Sequence, residues 1–185
     1  MNIRRPFTPK GQSERQAIES NRHLNMPLHA CVGEILDNSI EWGADSIHVL
    51  INWSTEDPLY PEQIVFIDNG VGMSPEKLSN SLVTGFHDDD GSEDNPIGKF
   101  GVGCKYAFLA NCRRSDVFSK RSGKDWHTTR FDLNDKDIDD TSVNYPPDAV
   151  AKTPPSELKE YWEKLDQGTI TIWNQFDQGL SLIHI

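Results

Sequence analysis

Three stretches of the sequence carry acids, amides and glycines at spacings that could serve chemistry. The first is LHACVGEILDNSIEWGADSIHV, in which Glu34 and Asn38 stand four residues apart. Residues at this spacing share one face of a helix. Taken alone, the polar stripe has two explanations, the solvated side of a surface helix or a face turned toward a ligand, and the first is the more common.

The second stretch is IVFIDNGVGM, where Asp68 ends an apolar run that reads as a buried strand. Asn69 followed by glycine usually marks a hairpin, but no return strand follows before the helix start at Ser74 and Pro75. Gly70 and Gly72 would instead leave room for a flat ligand close to the backbone. The Asp68 carboxylate could then accept a hydrogen bond from an exocyclic amine.

The third stretch, NPIGKFGVGCKYAFLA, places Gly98, Gly101 and Gly103 just before a helix. Backbone N–H groups of such a loop, together with a helix N-terminus, can surround anionic oxygens, and Lys99 and Lys105 could supplement them.

Two familiar phosphate-binding patterns do not fit this stretch. A Walker A loop requires lysine where Cys104 stands, and a dinucleotide-binding fingerprint requires glycine where Tyr106 stands and a strand before the loop. A glycine-rich loop alone is more often a hinge, so its weight depends on the other two stretches.

Helices and strands alternate along the chain in a way that could position these residues. The predicted helices cover 13–24, 28–43, 74–82, 103–111 and 156–165, and the predicted strands are DSIHVLINW, QIVFID, SDVFSK, DWHTTRFDL and GTITIW. In the first strand, Ile47, Val49, Ile51 and Trp53 alternate, which predicts one buried face. We expect an α/β fold, a two-layer sandwich in which helices cover one face of a mixed, mostly antiparallel sheet.

Composition limits the class of protein. The 185 residues suit one domain, with 36% hydrophobic and 25% charged residues and no apolar run of the ~20 residues that a membrane helix needs. The start MNIRRPFTPKGQ has no apolar stretch typical of a secretory signal, so we expect a cytoplasmic protein. A net charge of −11 makes nucleic-acid binding through this domain unlikely without local basic patches.

Cysteine and acidic residues give no sign of a metal centre. Cys31, Cys104 and Cys112 form no C-x-x-C pair, so we expect reduced, structural thiols. The histidines lack metal-ligand spacing. HDDDGSED could be imagined as a metal cluster, but a solvated loop is the simpler interpretation.

In their order, EILDNS, DNGVGM and GKFGVG resemble the three motifs of the GHKL ATPases, a superfamily of gyrase, heat-shock-90-type chaperones, histidine kinases and MutL, with MORC proteins as a related group. The resemblance covers roughly residues 28–174 and implies a Bergerat-type fold that binds ATP between sheet and helices under a flexible lid. EILDNSIEWGADSIHV is similar to MutL, whereas the longer match, IGKFGVGCKYAFL, favours the MORC-like and heat-shock-90-like side.

The resemblance implies roles for individual residues. Asn38 would hold Mg²⁺, Asp68 would receive the adenine amino group, and Glu34 would be the general base for the attacking water. Histidine kinases usually carry Asn at the position of Glu34, so hydrolysis is favoured over phosphotransfer. The remaining ATP-binding positions would be Gly70, Gly72, Met73, Gly98, Lys99, Phe100, Gly101, Val102, Gly103, Lys105 and Thr169.

For Thr169, an ordinary β-branched strand residue remains an equal explanation. At the level of the whole chain, a GHKL-fold kinase and a nucleotide-sensing module without turnover remain alternatives to an ATPase.

The resemblance also implies how the chain is divided. We expect an extension with a short helix over 1–27, the ATP-binding domain over 28–178 with a lid at 84–98, and an exposed acidic insertion at 134–155. The tail 179–185 resembles translated adapter sequence and is expected to be non-native. Family ATPases commonly act as ATP-dependent homodimers that use a lysine from a following domain, so we expect a truncated reading frame with slow turnover.

Overall fold

A single antiparallel sheet of six strands forms the centre of the molecule. The computed structural model describes residues 13–22, 26–58, 60–82, 103–140 and 145–177. The strands are β1 (Ile47–Trp53), β2 (Pro61–Asp68), β3 (Cys112–Lys120), β4 (His127–Asp132), β5 (Val150–Ala151) and β6 (Gly168–Phe176). They lie in the order β1-β2-β6-β3-β4-β5, and within the described residues every pairing is antiparallel. The predicted α/β class and mostly antiparallel sheet are confirmed.

Four helices pack on one face of this sheet or next to it. They are α1 (Glu14–Arg22), α2 (Leu28–Glu41), α3 (Pro75–Ser81) and α4 (Gly103–Asn111). Helix α4 packs against α2 and β3, while α3 packs against β4. The main core lies between the layers and contains Cys31, Ile35, Leu78, Phe108 and Trp173. This layer arrangement is the predicted two-layer sandwich.

Helix α2 ends where the sequence predicts. Gly43 adopts a positive φ of 77°, which a residue without a Cβ tolerates at low cost. Its N–H donates to Ile40 O at 3.0 Å, and the Ala44 N–H donates to Ser39 O at 2.9 Å. This pair of bonds is the Schellman pattern that satisfies the last carbonyls of a helix. The C-terminal end of α2 is therefore fixed in position.

Capping residues fix the starts of two other helices. Ser13 and Gln16 form a reciprocal capping box before α1, with both bonds at 3.2 Å. Ser74 Oγ accepts a hydrogen bond from Lys77 N at 3.3 Å, and Pro75 is the first residue of α3.

Strand β1 does not have the buried face that its alternation predicted. The side chains of Val49, Ile51 and Trp53 point to the same side as the helices. They are nevertheless 39%, 37% and 46% exposed, respectively. The reason is position, because β1 is the edge strand and α3 and α4 pack over β3 and β4 instead.

The opposite face of the sheet carries a smaller core. Val65, Phe118 and Ile172 point away from the helices and meet Leu158 and Trp126. Leu158 ends a 3₁₀ turn that is followed by α5 (Lys159–Trp162), so the helix predicted over 156–165 is a 3₁₀ turn and one short α-helical turn. The face of the sheet opposite α1–α4 is therefore partly covered.

Most described residues of the acidic segment 134–155 are exposed, but two of its apolar side chains are buried. Ile138 is 0% and Tyr145 is 3% exposed. The Tyr145 ring meets Phe131 edge-on at 5.3 Å, and its hydroxyl donates to Asp132 O at 2.5 Å. The acidic composition concealed these apolar anchors, which fasten the segment to β4.

Several expectations lie outside the described residues. They are the lid 84–98, the loop residues 98–102, the tail 179–185 and the start of the 1–27 extension. Among the described helices, none has the length and apolar character needed to cross a bilayer.

Candidate functional site

A row of polar side chains crosses the middle of the sheet on its helix-facing side. Asp68 at the end of β2 is paired with Thr169 on β6, and Thr169 is paired with Ser119 on β3. The next paired row contains Phe66, Thr171 and Val117 in the same three strands. Since side chains alternate between the faces of a strand, the polar row and the core row share one face. The polar row forms the floor of the candidate site.

Asp68 is the acidic residue of this floor. Its Oδ1 accepts hydrogen bonds from Gly70 N at 2.9 Å and Thr169 N at 3.3 Å, and its Oδ2 accepts one from Ser39 Oγ at 3.3 Å. Burial raises the pKa of Asp68, and the three hydrogen bonds oppose that rise only in part. An ionised carboxylate has about four acceptor positions, so one on Oδ2 is left for a ligand.

Helix α2 meets the end of β2 through several contacts. The bond from Ser39 Oγ to Asp68 joins their side chains, and Val71 N donates to Trp42 O at 3.0 Å. Asn69 Oδ1 accepts from the N–H groups of Asp45 and Ser46, both at 3.0 Å. The first two motifs recognised in the sequence are therefore adjacent in space.

Glu34 and Asn38 lie on α2 and are both half-buried. Asn38 Nδ2 donates to Glu34 O at 2.6 Å. Because that carbonyl can only accept, the nitrogen of the amide is identified, and Asn38 Oδ1 accepts no hydrogen bond from the residues that the structure describes. Glu34 precedes Ser39 in α2. At a rise of about 1.5 Å per residue, it lies about 7.5 Å from Ser39 along the helix axis, toward the N-terminus of the helix.

The sequence predicted that the glycines after Asp68 leave room for a flat ligand. The structure gives a different reason for glycine at these positions. A Cβ at Gly72, whose φ is 65°, would lie 1.9 Å from Lys120 O. A Cβ at Gly70 would lie 2.8 Å from Trp42 O. The loop is therefore packed against the protein's own backbone, and glycine is required for that contact whether or not a ligand also approaches.

The beginning of β6 shows the same close approach. Gly168 has a φ of 146°, and a Cβ there would lie 2.1 Å from Asp68 O. The sequence analysis assigned no role to Gly168, although it directly precedes Thr169.

The structure describes only the end of the glycine-rich stretch, from Gly103 onward. Gly103 is the first residue of α4, Lys105 lies in its first turn, and Gly98, Lys99, Phe100, Gly101 and Val102 lie outside the described residues. At the other end of α4, Asn111 Nδ2 donates to Cys31 Sγ at 2.9 Å, near the start of α2. Since α4 packs along α2, the two helices run antiparallel, which directs Gly103 toward the end of α2 that carries Asn38.

Ser119 is a site residue that the sequence analysis missed. It is fully buried and its Oγ accepts a hydrogen bond from Met73 N at 2.9 Å. The same Oγ donates to Gly168 O at 3.0 Å and lies 2.9 Å from Thr169 Oγ1. Ser119 therefore connects the loop after β2 with β3 and β6. No local pattern marks it, because its role depends on strand pairing.

Ser39 is the second site residue that was not predicted, although the sequence contains a signal for it. At helical spacing Ser39 shares one face of α2 with Val32 and Ile35, and its exposure is 6%. A hydroxyl on the buried face needs a hydrogen-bond partner, and it shares its proton between Ile35 O at 3.1 Å and Asp68.

The described part of the chain contains no group of three or more His, Cys, Asp or Glu side chains that could hold a metal ion, and HDDDGSED lies outside it. Cys31 and Cys112 are buried free thiols, and burial raises the pKa of Cys31 to about 11. These two thiols are therefore unreactive and structural.

Comparisons with known proteins show the family of this chain. A family model described as histidine kinase-, DNA gyrase B-, and HSP90-like ATPase matches residues 26–164. MORC family CW-type zinc finger protein 1 of Homo sapiens is 27% identical over 121 residues, which are 65% of this chain and 12% of that protein. The chain thus spans about an eighth of the length of this relative. Because the family model covers most of the chain, the protein belongs to the histidine kinase-, DNA gyrase B- and HSP90-like ATPase family.

Proposed function

We propose that the chain binds ATP with Mg²⁺ and hydrolyses it slowly, as the ATPase switch domain of a larger protein. The family's chemistry is ATP binding and hydrolysis. The observation that carries the proposal for this chain is the contact of Ser39 with Asp68, because it joins the acid-bearing helix to the aspartate at the end of β2.

Asp68 is the proposed adenine-binding residue. Its carboxylate is held by three donors and keeps one acceptor position on Oδ2, which suits the N–H of an exocyclic amine. Gly70, Gly72 and Met73 shape the adjoining wall, and Thr169 stands beside Asp68 in the paired row.

Asn38 is the proposed Mg²⁺ ligand. Its Oδ1, which has no hydrogen-bond partner among the described residues, is an oxygen ligand of the kind that Mg²⁺ prefers, and its amide nitrogen donates to Glu34 O. When bound, the ion would neutralise charge on the phosphate oxygens. Residues 98–103 and Lys105 would surround the phosphates with backbone N–H groups and positive charge.

Glu34 is the proposed general base. It would accept a proton from the attacking water while the water oxygen bonds to the γ-phosphorus and the bond to the β–γ bridging oxygen breaks. The products are ADP and inorganic phosphate. The position of this carboxylate, one turn from Asn38 on the same helix face, supports the proposal.

The larger assembly is also part of the proposal. An ATP-dependent homodimer of the full-length protein would complete the catalytic site, as in related ATPases, and this would leave the present chain with weak turnover. Regions beyond this chain would connect ATP binding with a partner or client.

The test combines ATP titration with phosphate release, with and without Mg²⁺, for the wild type, Asp68→Asn and Glu34→Gln. We expect Asp68→Asn to lose ATP binding and Glu34→Gln to bind ATP without releasing phosphate. If the Asp68 variant binds ATP as tightly as the wild type, Asp68 is not the adenine-binding residue. Transfer of labelled phosphate to a protein side chain would favour the kinase alternative, and binding without turnover in the wild type would favour the nucleotide-sensing alternative.

A further inference from the structure

The hydrogen bonds around Ser119 set the polarity of the wall that faces the proposed adenine. A serine hydroxyl has one proton to donate and two lone pairs that can accept. The Gly168 carbonyl oxygen, 3.0 Å away, can only accept, so it receives the serine proton. The Met73 N–H, 2.9 Å away, can only donate, so it occupies one lone pair.

The bond between Ser119 and Thr169 then has a single direction. The two hydroxyl oxygens are 2.9 Å apart, and distance alone leaves either as the donor. Because the Ser119 proton points to Gly168, Thr169 must donate its own proton to the second lone pair of Ser119. The Thr169 hydroxyl therefore presents only lone pairs to the site.

Asp68 presents the same polarity beside it. Its Oδ1 is occupied by the N–H groups of Gly70 and Thr169, and the open position on Oδ2 is an acceptor. Two neighbouring acceptors on paired strands suit a ligand group with two N–H donors, such as the 6-amino group of a purine. A 6-oxo group would place its oxygen against these acceptors.

We infer that Ser119 is a specificity-determining residue of the proposed ATP site, which orients the Thr169 hydroxyl so that the site selects 6-aminopurines over 6-oxopurines. Ser119 acts through Thr169 and is a positioning residue. This inference rests on the proposed function and goes beyond it by naming the residue that sets the base preference.

The experiment compares the dissociation constants of ATP and inosine triphosphate, which carries a 6-oxo group. We expect the wild type to bind ATP at least about tenfold more tightly, the equivalent of about one hydrogen bond. In Ser119→Ala the Thr169 hydroxyl can rotate and donate to the 6-oxo group. The ratio should then fall by about three- to tenfold, partly through a gain in affinity for inosine triphosphate.

A matched control lies on the same strand and face. Ser115 is also 0% exposed, but its hydroxyl has no hydrogen-bond partner in the described part of the chain. Ser115→Ala should leave the ratio unchanged. If both alanine variants change the ratio equally, the effect is general loosening of β3 and the inference is wrong.

A second variant keeps the test decisive if Ser119→Ala does not fold. Thr169→Val removes the hydroxyl, so ATP affinity should fall with no gain for inosine triphosphate, whereas unchanged ATP affinity overturns the inference. A wild type that binds ATP with a ratio unaffected by Ser119→Ala refutes only the role of Ser119. A wild type that binds neither triphosphate refutes the proposed function, and the inference falls with it.

Discussion

Ser39 Oγ donates a hydrogen bond to Asp68 Oδ2 at 3.3 Å, which ties the C-terminal part of helix α2 to the end of strand β2. The two residues are far apart in the sequence, and Ser39 directly follows Asn38. The bond therefore fixes the distance between the proposed Mg²⁺ ligand and the proposed adenine-binding carboxylate.

Removing this bond should weaken ATP binding without abolishing it. In Ser39→Ala the Asp68 carboxylate loses one of three donors, and a hydrogen bond to a buried group contributes about 0.5–1.5 kcal/mol. We expect ATP affinity to fall by about three- to tenfold, measured by calorimetric titration. Ser81→Ala is the control, because Ser81 Oγ donates to Leu78 O at 2.7 Å in its own helix and does not contact Asp68. Equal losses in both variants would contradict the role of Ser39.

Asp68→Asn should abolish ATP binding without lowering the stability of the fold. The asparagine Oδ1 can keep the N–H groups of Gly70 and Thr169, and its Nδ2 can donate to Ser39, whose proton then turns to Ile35 O. The variant should be at least as stable as the wild type at pH 7, since it buries no charge. It should lose ATP binding because its Nδ2–H faces the adenine amine. A large loss of stability would show that the ionised group supports the fold.

The raised pKa of Asp68 predicts opposite pH dependences for folding and binding. Its pKa is raised from an ordinary value of 3.8, so between that value and the folded pKa the folded chain holds more protons than the unfolded chain. The contribution of Asp68 to stability is therefore present at low pH and lost as the pH rises through this window. ATP affinity should change the other way, because only the ionised carboxylate accepts from the amine.

Titrations of ATP and urea unfolding at several acidic pH values test this contrast. The same series on Asp68→Asn isolates the contribution of this carboxylate. A wild-type stability that differs from that of the variant by a constant amount across the series would contradict the assigned titration.

Gly72→Ala should be severely destabilising. Its Cβ would lie 1.9 Å from Lys120 O, and its φ of 65° strains any residue with a Cβ. We expect a loss of at least about 2 kcal/mol from backbone strain and overpacking, measured by urea unfolding. Gly33→Ala in α2 is the control, because no atom of the described residues lies within 4 Å of its added Cβ. That change should stabilise the helix by about 0.5–1 kcal/mol, so a comparable loss in both variants would point to another cause.

Tyr145→Phe should destabilise the fold and leave ATP affinity unchanged. The hydroxyl donates to Asp132 O at 2.5 Å and accepts from Asp132 N at 2.7 Å, so its removal leaves a part-buried N–H without a partner. The expected cost is about 1–3 kcal/mol in thermal or urea unfolding. Tyr161→Phe is the comparison, since no hydrogen bond of its hydroxyl is found among the described residues. A fall in ATP affinity would show that the acidic segment reaches the site.

The sequence was most informative where local chemistry decides the structure. Capping residues located the starts of α1 and α3, and Gly43 located the end of α2, because each acts within a few residues of itself. The order of the three motifs identified the family, which the family model confirms.

Residues whose roles depend on tertiary pairing escaped prediction. Ser119 acquires its role only because β3 lies next to β6 and not next to β2. The apolar alternation of Val49 and Ile51 was read correctly as a strand, but burial depended on which strands the helices cover. Tyr145 and Ile138 were hidden because acidic neighbours dominate the composition around them.

Glu34→Gln should stop phosphate release while ATP stays bound. Glutamine keeps the size of the side chain but cannot take a proton from water, and loss of a general base typically lowers a rate by about 10²–10⁴-fold. Single-turnover measurement of phosphate release at saturating ATP and Mg²⁺ isolates the chemical step from product release. Glu41→Gln is the matched control, because Glu41 also lies on the polar side of α2 but at its last residue. Equal rates for the wild type and Glu34→Gln would show that another group activates the water, whereas a loss confined to Glu34→Gln would establish the carboxylate one turn from Asn38 as the base.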